Sequence, residues 1–133
     1  MRFSTRTTYG LRAMIYLASR YNNKNISIAE IAREENISSG YLEKLFKELK
    51  KNDLVKSVKG VRGGYSLSKE ADKLSLYDIV MILEGSLSLF ECISEDGKLL
   101  CEGKNPCAVP RVLLRVQNAI NKTLKSMTLK DLL

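Results

Sequence analysis

The repeat of the apolar residues changes near residue 54, and this change constrains the fold more than any other feature of the chain. Before it, apolar residues recur every three or four positions, which is typical of amphipathic helices. After it, segments 54–58 and 65–68 alternate between apolar and polar residues, which predicts two strands. The glycine-rich segment 59–64 between them predicts a hairpin turn. The chain is therefore expected to be mainly α-helical with one small β-hairpin.

Three helices are predicted ahead of the hairpin. Apolar residues at helical spacing place the first over roughly residues 5–21. Ser27 and Glu30 form a capping box that predicts the start of the second, and a tight turn at 36–40 separates it from the third. The buried stripe of the third helix consists of Leu42, Leu45, Phe46 and Leu49. Three short helices followed by a basic hairpin are the layout of a winged helix-turn-helix.

The second half is predicted to hold two further helices with an irregular segment between them. Ser75 caps the first of these helices, and clear periodicity is lost from Gly85 to Pro106. A helix of roughly nineteen residues follows, with an apolar stripe made of Val109, Val112, Leu113, Val116, Ile120, Leu124 and Met127. No later element is long enough to cover this stripe, so we expect a second copy to cover it, with packing against its own domain as the alternative. Thr128 and Asp131 form a second capping box, which predicts a short C-terminal turn.

The net charge of +7 is distributed unevenly along the chain. Residues 1–69 contain 14 Lys and Arg against 6 Asp and Glu, whereas residues 70–133 contain 8 against 9. Nearly all of the excess positive charge therefore lies in the first half, which indicates a polyanionic partner for that half. A generally basic, well-solvated surface is the alternative interpretation of the charge alone.

The third helix and the hairpin are the candidate DNA-binding surface. In a helix-turn-helix, the N-terminal residues of the second helix of the pair face base edges in the major groove. We expect DNA contacts from Arg2, Ser38, Ser39, Gly40, Tyr41, Glu43, Lys44, Lys47, Lys59, Arg62 and Gly63. Glu43 is suited to accept a hydrogen bond from a cytosine amino group, and Lys47 to contact phosphate. The alternatives are a Glu43–Lys47 ion pair and a lysine face that is only solvated.

Cys92, Cys101 and Cys107 lie within sixteen residues of one another, and the chain contains no histidine. Clustered thiolates are soft ligands that suit an iron–sulfur cluster, and zinc held by three cysteines and a carboxylate is a second option. A metal-free thiol or disulfide sensor and three unrelated cysteines are the remaining interpretations. The fourth metal ligand is unassigned, and the nearby oxygen donors are Glu91, Ser94, Glu95, Asp96 and Glu102.

Three segments resemble the Rrf2 family of bacterial transcription regulators. They are the opening MRFST, the segment ISSGYLEKLF at 37–46 and the segment VKGVRGGYSL at 58–67. The similarity covers essentially the whole chain, and within the family the chain is most similar to the iron–sulfur cluster regulator (IscR-like) branch. The resemblance implies a homodimer with a winged DNA-binding domain, a long dimerisation helix, and repression of genes for cluster assembly or for cysteine and iron metabolism.

The resemblance also implies a cofactor, a [2Fe–2S] cluster held by Cys92, Cys101 and Cys107. Family members often place a histidine just after the third cysteine, where this chain has Ala108 and Val109. Some relatives take a ligand from the first helix of the partner subunit, which here offers Thr7, Thr8 and Tyr9. A two-fold dimer places two recognition helices on a palindromic site in double-stranded DNA.

The sequence therefore predicts three parts, namely a winged helix-turn-helix domain at 1–84, a cysteine-bearing sensor segment at 85–107, and a dimerisation helix with a C-terminal turn at 108–133. An enzyme is not expected, because the chain has no histidine, no Cys-x-x-Cys pair and no glycine-rich phosphate loop before a helix. No membrane span or export signal is visible, and the odd number of cysteines indicates the reducing cytoplasm. The alternative function is an Rrf2 regulator that senses a partner protein, a small molecule or thiol oxidation without a cluster.

Overall fold

A computed structural model describes residues 2–20, 24–101 and 107–133. The helices are α1 (Thr5–Ser19), α2 (Ile28–Glu35), α3 (Ser39–Lys51), α4 (Leu76–Glu84) and α5 (Val109–Lys125). The strands β1 (Val55–Val58) and β2 (Gly64–Leu67) form an antiparallel hairpin between α3 and α4. Short 3-10 turns lie at Ala71–Lys73 and Leu129–Leu132. This order of elements confirms a mainly helical chain with one hairpin, in the winged helix-turn-helix layout.

The first four helices each begin after a serine whose hydroxyl accepts a hydrogen bond from a backbone N–H of the first turn. These serines are Ser4, Ser27, Ser38 and Ser75. The Ser27 hydroxyl accepts from the Glu30 N–H at 3.1 Å, but the Glu30 carboxylate accepts from the Tyr16 hydroxyl at 2.9 Å. Glu30 thus ties α2 to α1 instead of closing the predicted capping box. The second predicted box, Thr128 with Asp131, is fully formed.

Helix α1 packs against α2, α3 and α4, and the interior between these helices is apolar. Met14, Ile31 and Phe46 have no exposed surface. Helices α1 and α4 approach closely at Gly10, where a β-carbon would lie 2.5 Å from Leu83 Cδ2. Burial of these large apolar side chains supplies the main stabilisation of the first half of the chain.

The hairpin is fixed on two sides. Its strands pair with Val55 opposite Leu67, within one residue of the predicted segments. Ile26, in the connection between α1 and α2, exchanges two backbone hydrogen bonds with Tyr65, at 2.7 and 2.8 Å. The Tyr65 ring meets Phe46 edge-on, with 4.7 Å between the ring centroids. The hairpin therefore moves with α3 and with the start of α2.

Helix α5 has 17 residues, somewhat fewer than the roughly nineteen expected. The side chains it buries in its own chain are those of Pro110, Gln117 and Asn121, none of which belongs to the predicted apolar stripe. Within that stripe, only Leu124 and Met127 pack against the core. The rest of the stripe is exposed or half-buried, and consists of Val109, Val112, Leu113, Val116 and Ile120. The domain thus covers the C-terminal end of the stripe and leaves the remainder open.

Two predicted boundaries need correction. Helix α1 ends at Ser19, and the last residue of the predicted range 5–21 lies outside the described residues. Ser39 and Gly40 are the first residues of α3, not part of the turn, because Ser38 is the N-cap. Asn36 ends α2 in a left-handed conformation with a φ of 52°. Across the ranges that the structure describes, no helix is both long and apolar enough to span a bilayer.

Candidate nucleic-acid interface and cysteine segment

The N-terminal end of α3 is open to solvent. Ser38, Ser39 and Gly40 are exposed there. Further along the same face, the exposed residues are Glu43, Lys44 and Lys47. The opposite face of α3 carries the buried residues Leu42, Leu45, Phe46 and Leu49, as predicted. The helix can therefore present its polar face to a ligand without losing its packing.

Glu43 does not form the ion pair that the sequence left open as an alternative. Among the described residues, the ion pairs are Arg12–Glu35, Arg33–Glu34, Lys73–Glu70 and Lys98–Asp96. Neither Glu43 nor Lys47 takes part in any of them. An unpaired carboxylate on a DNA-facing helix repels phosphate, so it is better suited to selecting a base than to increasing affinity.

Tyr41 is half-buried and connects α3 to α1. Its ring meets Tyr9 edge-on, with centroids 5.8 Å apart and ring planes at 87°. The Arg12 guanidinium lies 5.6 Å from the Tyr9 ring centroid and 3.0 Å from the Glu35 carboxylate. This stack of side chains fixes the orientation of Tyr41, and only its outer part is available to DNA.

The tip of the hairpin carries Lys59, Val61 and Arg62, all of them exposed. Val61 is fully exposed and was not among the predicted DNA contacts, because a single valine in a turn gives no distinctive signal. Gly63 has a structural role in this turn: its N–H donates to the Gly60 carbonyl at 2.9 Å, and a β-carbon would collide with the Val58 carbonyl oxygen. The turn itself therefore requires glycine at 63.

The N-terminal residues are held against the end of α4, although Arg2 remains exposed. Glu84 Oε1 accepts hydrogen bonds from the Ser4 N–H at 2.7 Å and from the Ser4 hydroxyl at 3.1 Å. Burial raises the pKa of Glu84, but the polar contacts of Thr7 and Ser4 outweigh it and hold the pKa below its usual value. The positive charge of Arg6 acts in the same direction. The buried Thr7 hydroxyl has no partner within hydrogen-bond geometry.

The three cysteines lie in different environments. Cys92 is half-buried, and its carbonyl accepts a hydrogen bond from the Leu100 N–H at 2.9 Å. Ile93, the next residue, has no exposed surface and pairs with Leu99 across a short turn. Cys101 and Cys107 are both exposed. The backbone around Cys92 is therefore well packed, whereas the other two thiols face solvent.

The described residues do not gather a metal site. An iron–sulfur cluster needs its thiolates and a fourth donor around one centre. Within the described ranges, no group of three or more cysteine, aspartate or glutamate side chains is placed to hold a metal ion. As arranged, Cys92, Cys101 and Cys107 do not form a metal-binding group.

Several of the candidate oxygen ligands are engaged elsewhere. Asp96 accepts a hydrogen bond from the Ser94 hydroxyl, which lowers the pKa of Asp96, and pairs with Lys98 at 2.9 Å. Glu102 lies outside the described residues. Thr7 is fully buried in its own subunit, so it is not available to the cysteines of a partner.

Two buried amides of α5 hold the cysteine segment. Gln117 Oε1 accepts from the Leu89 N–H at 3.0 Å, and Gln117 Nε2 donates to the Leu87 carbonyl at 2.8 Å. Asn121 Nδ2 donates to the Glu95 carbonyl at 2.8 Å. The sequence interpretation missed these residues. The available signal was their spacing, because two amides four positions apart on an apolar helix share one face.

An exposed recognition helix, packed on its partner helices and joined to a basic wing, defines a DNA-binding regulator of the winged helix-turn-helix class. The chain belongs to the Rrf2 family of transcriptional regulators. The family model, described as an iron-dependent transcriptional regulator, matches residues 3–133. The resemblance found in the recognition helix and the wing is thus confirmed.

Relatives from two branches of the family match nearly the whole chain. The HTH-type transcriptional regulator CymR of Bacillus subtilis is 37% identical, over 99% of this chain and 89% of its own length. The regulator IscR of Yersinia pseudotuberculosis is 31% identical, over 99% of this chain and 79% of its own.

Solved structures show the same fold. The structure of CymR, the global cysteine regulator of B. subtilis, has a TM-score of 0.84 at 36% identity and covers 99% of this chain and 95% of its own. The oxidized form of Staphylococcus aureus CymR has a TM-score of 0.78 at 35% identity, with coverage of 99% and 95%. The chain is therefore similar to IscR, as predicted, and it is similar to CymR at a higher sequence identity.

Proposed function

We propose that this Rrf2 protein is a homodimeric repressor of a palindromic DNA site, and that the thiol state of Cys101 and Cys107 sets its affinity. The observation that carries the proposal is the placement of these two exposed thiols in a segment that buried amides attach to the long helix α5. A chemical change at the thiols thereby has a physical route to the element that we assign to dimerisation. The proposal places the protein in the cytoplasm, where DNA is present and thiols are reduced.

The DNA-binding mode follows from the exposed faces of α3 and the wing. Ser38, Ser39 and Gly40 are small enough to let the helix approach base edges, and Glu43 selects cytosine. The phosphate contacts come from the basic residues Arg2, Lys44, Lys47, Lys59 and Arg62. The fully exposed Val61 lies between the last two of these on the wing and is suited to contact with a minor groove.

The open stripe of α5 supports the homodimer. Val109 and Val112 are 58% and 63% exposed, which is unusual for two branched apolar residues one helical turn apart. Nearer the C-terminal end of α5, a cavity of about 720 Å³ is lined by residues that include Phe3, Leu89 and Ile120. Because Ile120 belongs to both the cavity and the stripe, one apolar surface runs between them. We assign that surface to a second copy of the chain, whose own stripe is complementary to it.

The thiol chemistry is oxidation by a hydroperoxide. The Cys101 thiolate attacks one peroxide oxygen, the O–O bond breaks, and a sulfenic acid and hydroxide form. The Cys107 thiolate then attacks the sulfenic sulfur, the S–S bond forms, and the hydroxyl group leaves as water after protonation. Two thiols and one hydrogen peroxide molecule thus give one disulfide and two water molecules. The oxidized structure of the CymR relative supports this class of chemistry.

The test compares DNA affinity in the two thiol states. The reduced protein selects an operator from random double-stranded DNA, and its Kd is then measured before and after treatment with hydrogen peroxide. We expect oxidation to weaken binding at least about fivefold, and a Cys101→Ser, Cys107→Ser variant to show no change. Equal affinity in both states of the wild-type protein overturns thiol sensing. A salt series checks DNA binding itself, because Lys47→Ala lowers the salt dependence of Kd if Lys47 contacts phosphate.

An iron–sulfur cluster on Cys92, Cys101 and Cys107 is the second candidate. The likeness to IscR and the iron-dependent description of the family favour it. The arrangement of the described residues does not, since the segment has to rearrange before three thiols converge on one centre. The test is the content of iron and acid-labile sulfide per chain in protein purified without oxygen. About two irons and two sulfides per chain support the cluster, and neither element above background excludes it from the preparation.

A further inference from the structure

We propose that Gln117 and Asn121 are positioning residues that couple the cysteine segment to α5, so that their loss separates DNA affinity from thiol state without abolishing DNA binding. The inference rests on the proposed function, since it names the contacts through which that function is transmitted.

The two amides form one connected group inside the protein. Gln117 is 0% exposed and Asn121 is 6% exposed. The Gln117 Nε2 group donates to Asn121 Oδ1 at 3.1 Å, in addition to its bond with the Leu87 carbonyl. Together the amides hold the backbone at residues 87, 89 and 95, which lie on both sides of Cys92.

The segment has a packed part and an exposed part. Ile93 is fully buried, and the Ser88 hydroxyl donates to the Ile93 carbonyl, which closes the turn before it. The tip of the segment also touches α5, because a β-carbon on Gly97 would overlap Asn118 Oδ1. Cys101 follows this tip and is exposed. A displacement of the backbone at Cys101 is therefore transmitted through only a few residues to Glu95, whose carbonyl Asn121 holds.

Amides at these positions specify a single arrangement of the segment. An apolar side chain fits against several orientations of a neighbouring loop, whereas a buried amide is satisfied only when the correct N–H and C=O groups stand opposite it. A shift of the segment thus breaks these bonds or moves α5 with it. The open stripe of α5 lies about 100° round the helix from Gln117, so a rotation of α5 changes the surface that faces the second copy.

The experiment uses the full-length protein and the selected operator. The variants are Gln117→Leu and Asn121→Leu, and the matched control is Lys122→Leu, which changes an exposed side chain next to Asn121. The measured quantity is the ratio of Kd after oxidation to Kd before it. We expect this ratio to be at least about five in the wild type and the control. In the two amide variants we expect the ratio to lie within about twofold of 1. Their Kd in the reduced state is expected to stay within about threefold of the wild type.

Two further measurements address a variant that fails to fold. Gly97→Ala perturbs the packing of the segment on α5 from the segment side, because its φ of +80° and the nearby Asn118 both oppose a β-carbon. We expect it to lower the ratio as the amide variants do. In the wild-type protein, hydrogen exchange at the Leu89 N–H, which Gln117 holds, is expected to quicken on oxidation.

The outcomes separate the two proposals. A wild-type ratio near one overturns the proposed thiol sensing, and the coupling role falls with it. A wild-type ratio above five that persists unchanged in folded amide variants overturns the coupling role alone. Unchanged exchange at Leu89 in a wild type that does respond to oxidation also overturns the coupling role, and this measurement needs no variant.

Discussion

The helices of the first half and helix α5 of the second half bury different kinds of side chain. The interior of the first half is apolar, with Phe46 fully buried on the inner face of the recognition helix, whereas Glu43 on the outer face is exposed. In the second half, α5 buries the amides Gln117 and Asn121 and exposes apolar residues such as Val112. The first half thus follows the ordinary pattern of a domain, and the second half reverses it along one helix.

This difference indicates how the tasks are divided. Close apolar packing resists small displacements, so the first half is suited to hold a fixed DNA-reading surface. Hydrogen bonds from buried amides have a sharp geometric optimum, so the second half responds to a small displacement by breaking contacts or by moving as a unit. Exposed apolar residues on the same helix form the surface that we assign to a second copy.

The largest expected effect comes from comparing how much a buried side chain in each half contributes to the free energy of unfolding. Phe46→Ala removes a buried ring that packs on Tyr65 and is expected to lower the free energy of unfolding by about 3–5 kcal/mol. Ile93→Ala removes a smaller buried side chain beneath the cysteine segment and is expected to cost about 2–3 kcal/mol while leaving DNA binding intact. Urea unfolding followed by circular dichroism, with DNA binding beside it, checks both. Loss of DNA binding in a folded Ile93→Ala protein contradicts the division of tasks.

The second prediction concerns the open stripe. Val112→Asp places a charge in the assigned dimer surface and is expected to give a folded monomer with about 100-fold weaker operator binding, since the two half-sites are no longer linked. Lys122→Asp, on another face of α5, is the control and remains dimeric. Analytical ultracentrifugation measures the state of assembly. A monomeric wild type, or a dimeric Val112→Asp protein, contradicts the assignment of the stripe to the dimer surface.

The third prediction tests the free carboxylate of the recognition helix. Glu43→Gln is expected to reduce discrimination for cytosine at one position of each half-site by about 1–3 kcal/mol, and to leave the fold unchanged. Glu48→Gln, on the same helix but not among the predicted DNA contacts, serves as the comparison. Binding to a set of operators altered at single base pairs gives the answer. Unaltered base preference in the Glu43 variant places this residue outside the DNA interface.

The smallest expected effect lies where the two halves meet. The folded state lowers the pKa of Glu84, so its contact with Ser4 stabilises the protein above the usual pKa of 4.5 and is lost as the pH falls through the lowered value. Because Glu84 is partly exposed to solvent, the contribution is only about a few tenths of a kcal/mol. Glu84→Gln is therefore expected to flatten the decline in melting temperature below pH 4.5, compared with the wild type. An identical decline in both proteins contradicts this assignment.

Much of the first half could be predicted from the sequence because its signals are local. The serine caps, the apolar spacing of α3 and the glycines of the turn act within a few residues of themselves. The prediction was wrong where a side chain has a distant partner. Glu30 was expected to close its own cap and instead bonds Tyr16, fourteen residues earlier in the chain.

The cysteine segment shows the same limit more clearly. The spacing of Cys92, Cys101 and Cys107 predicted a metal site, but spacing does not state whether three thiols converge. That depends on how Ile93 packs and on which carbonyls Asn121 reaches. The cluster consequently stays a prediction, whereas the family and the fold are confirmed.

The sequence by itself determined the helices, the hairpin, the basic reading face and the family, because periodicity, capping and turn chemistry are properties of neighbouring residues. Only the tertiary structure decided that α5 buries amides in place of its apolar stripe and that Glu84 holds the N-terminal residues. It also decided that two of the three thiols face solvent. The physical reason is that a hydrogen bond of about 3 Å depends on where remote backbone groups meet, and no local repeat encodes that distance.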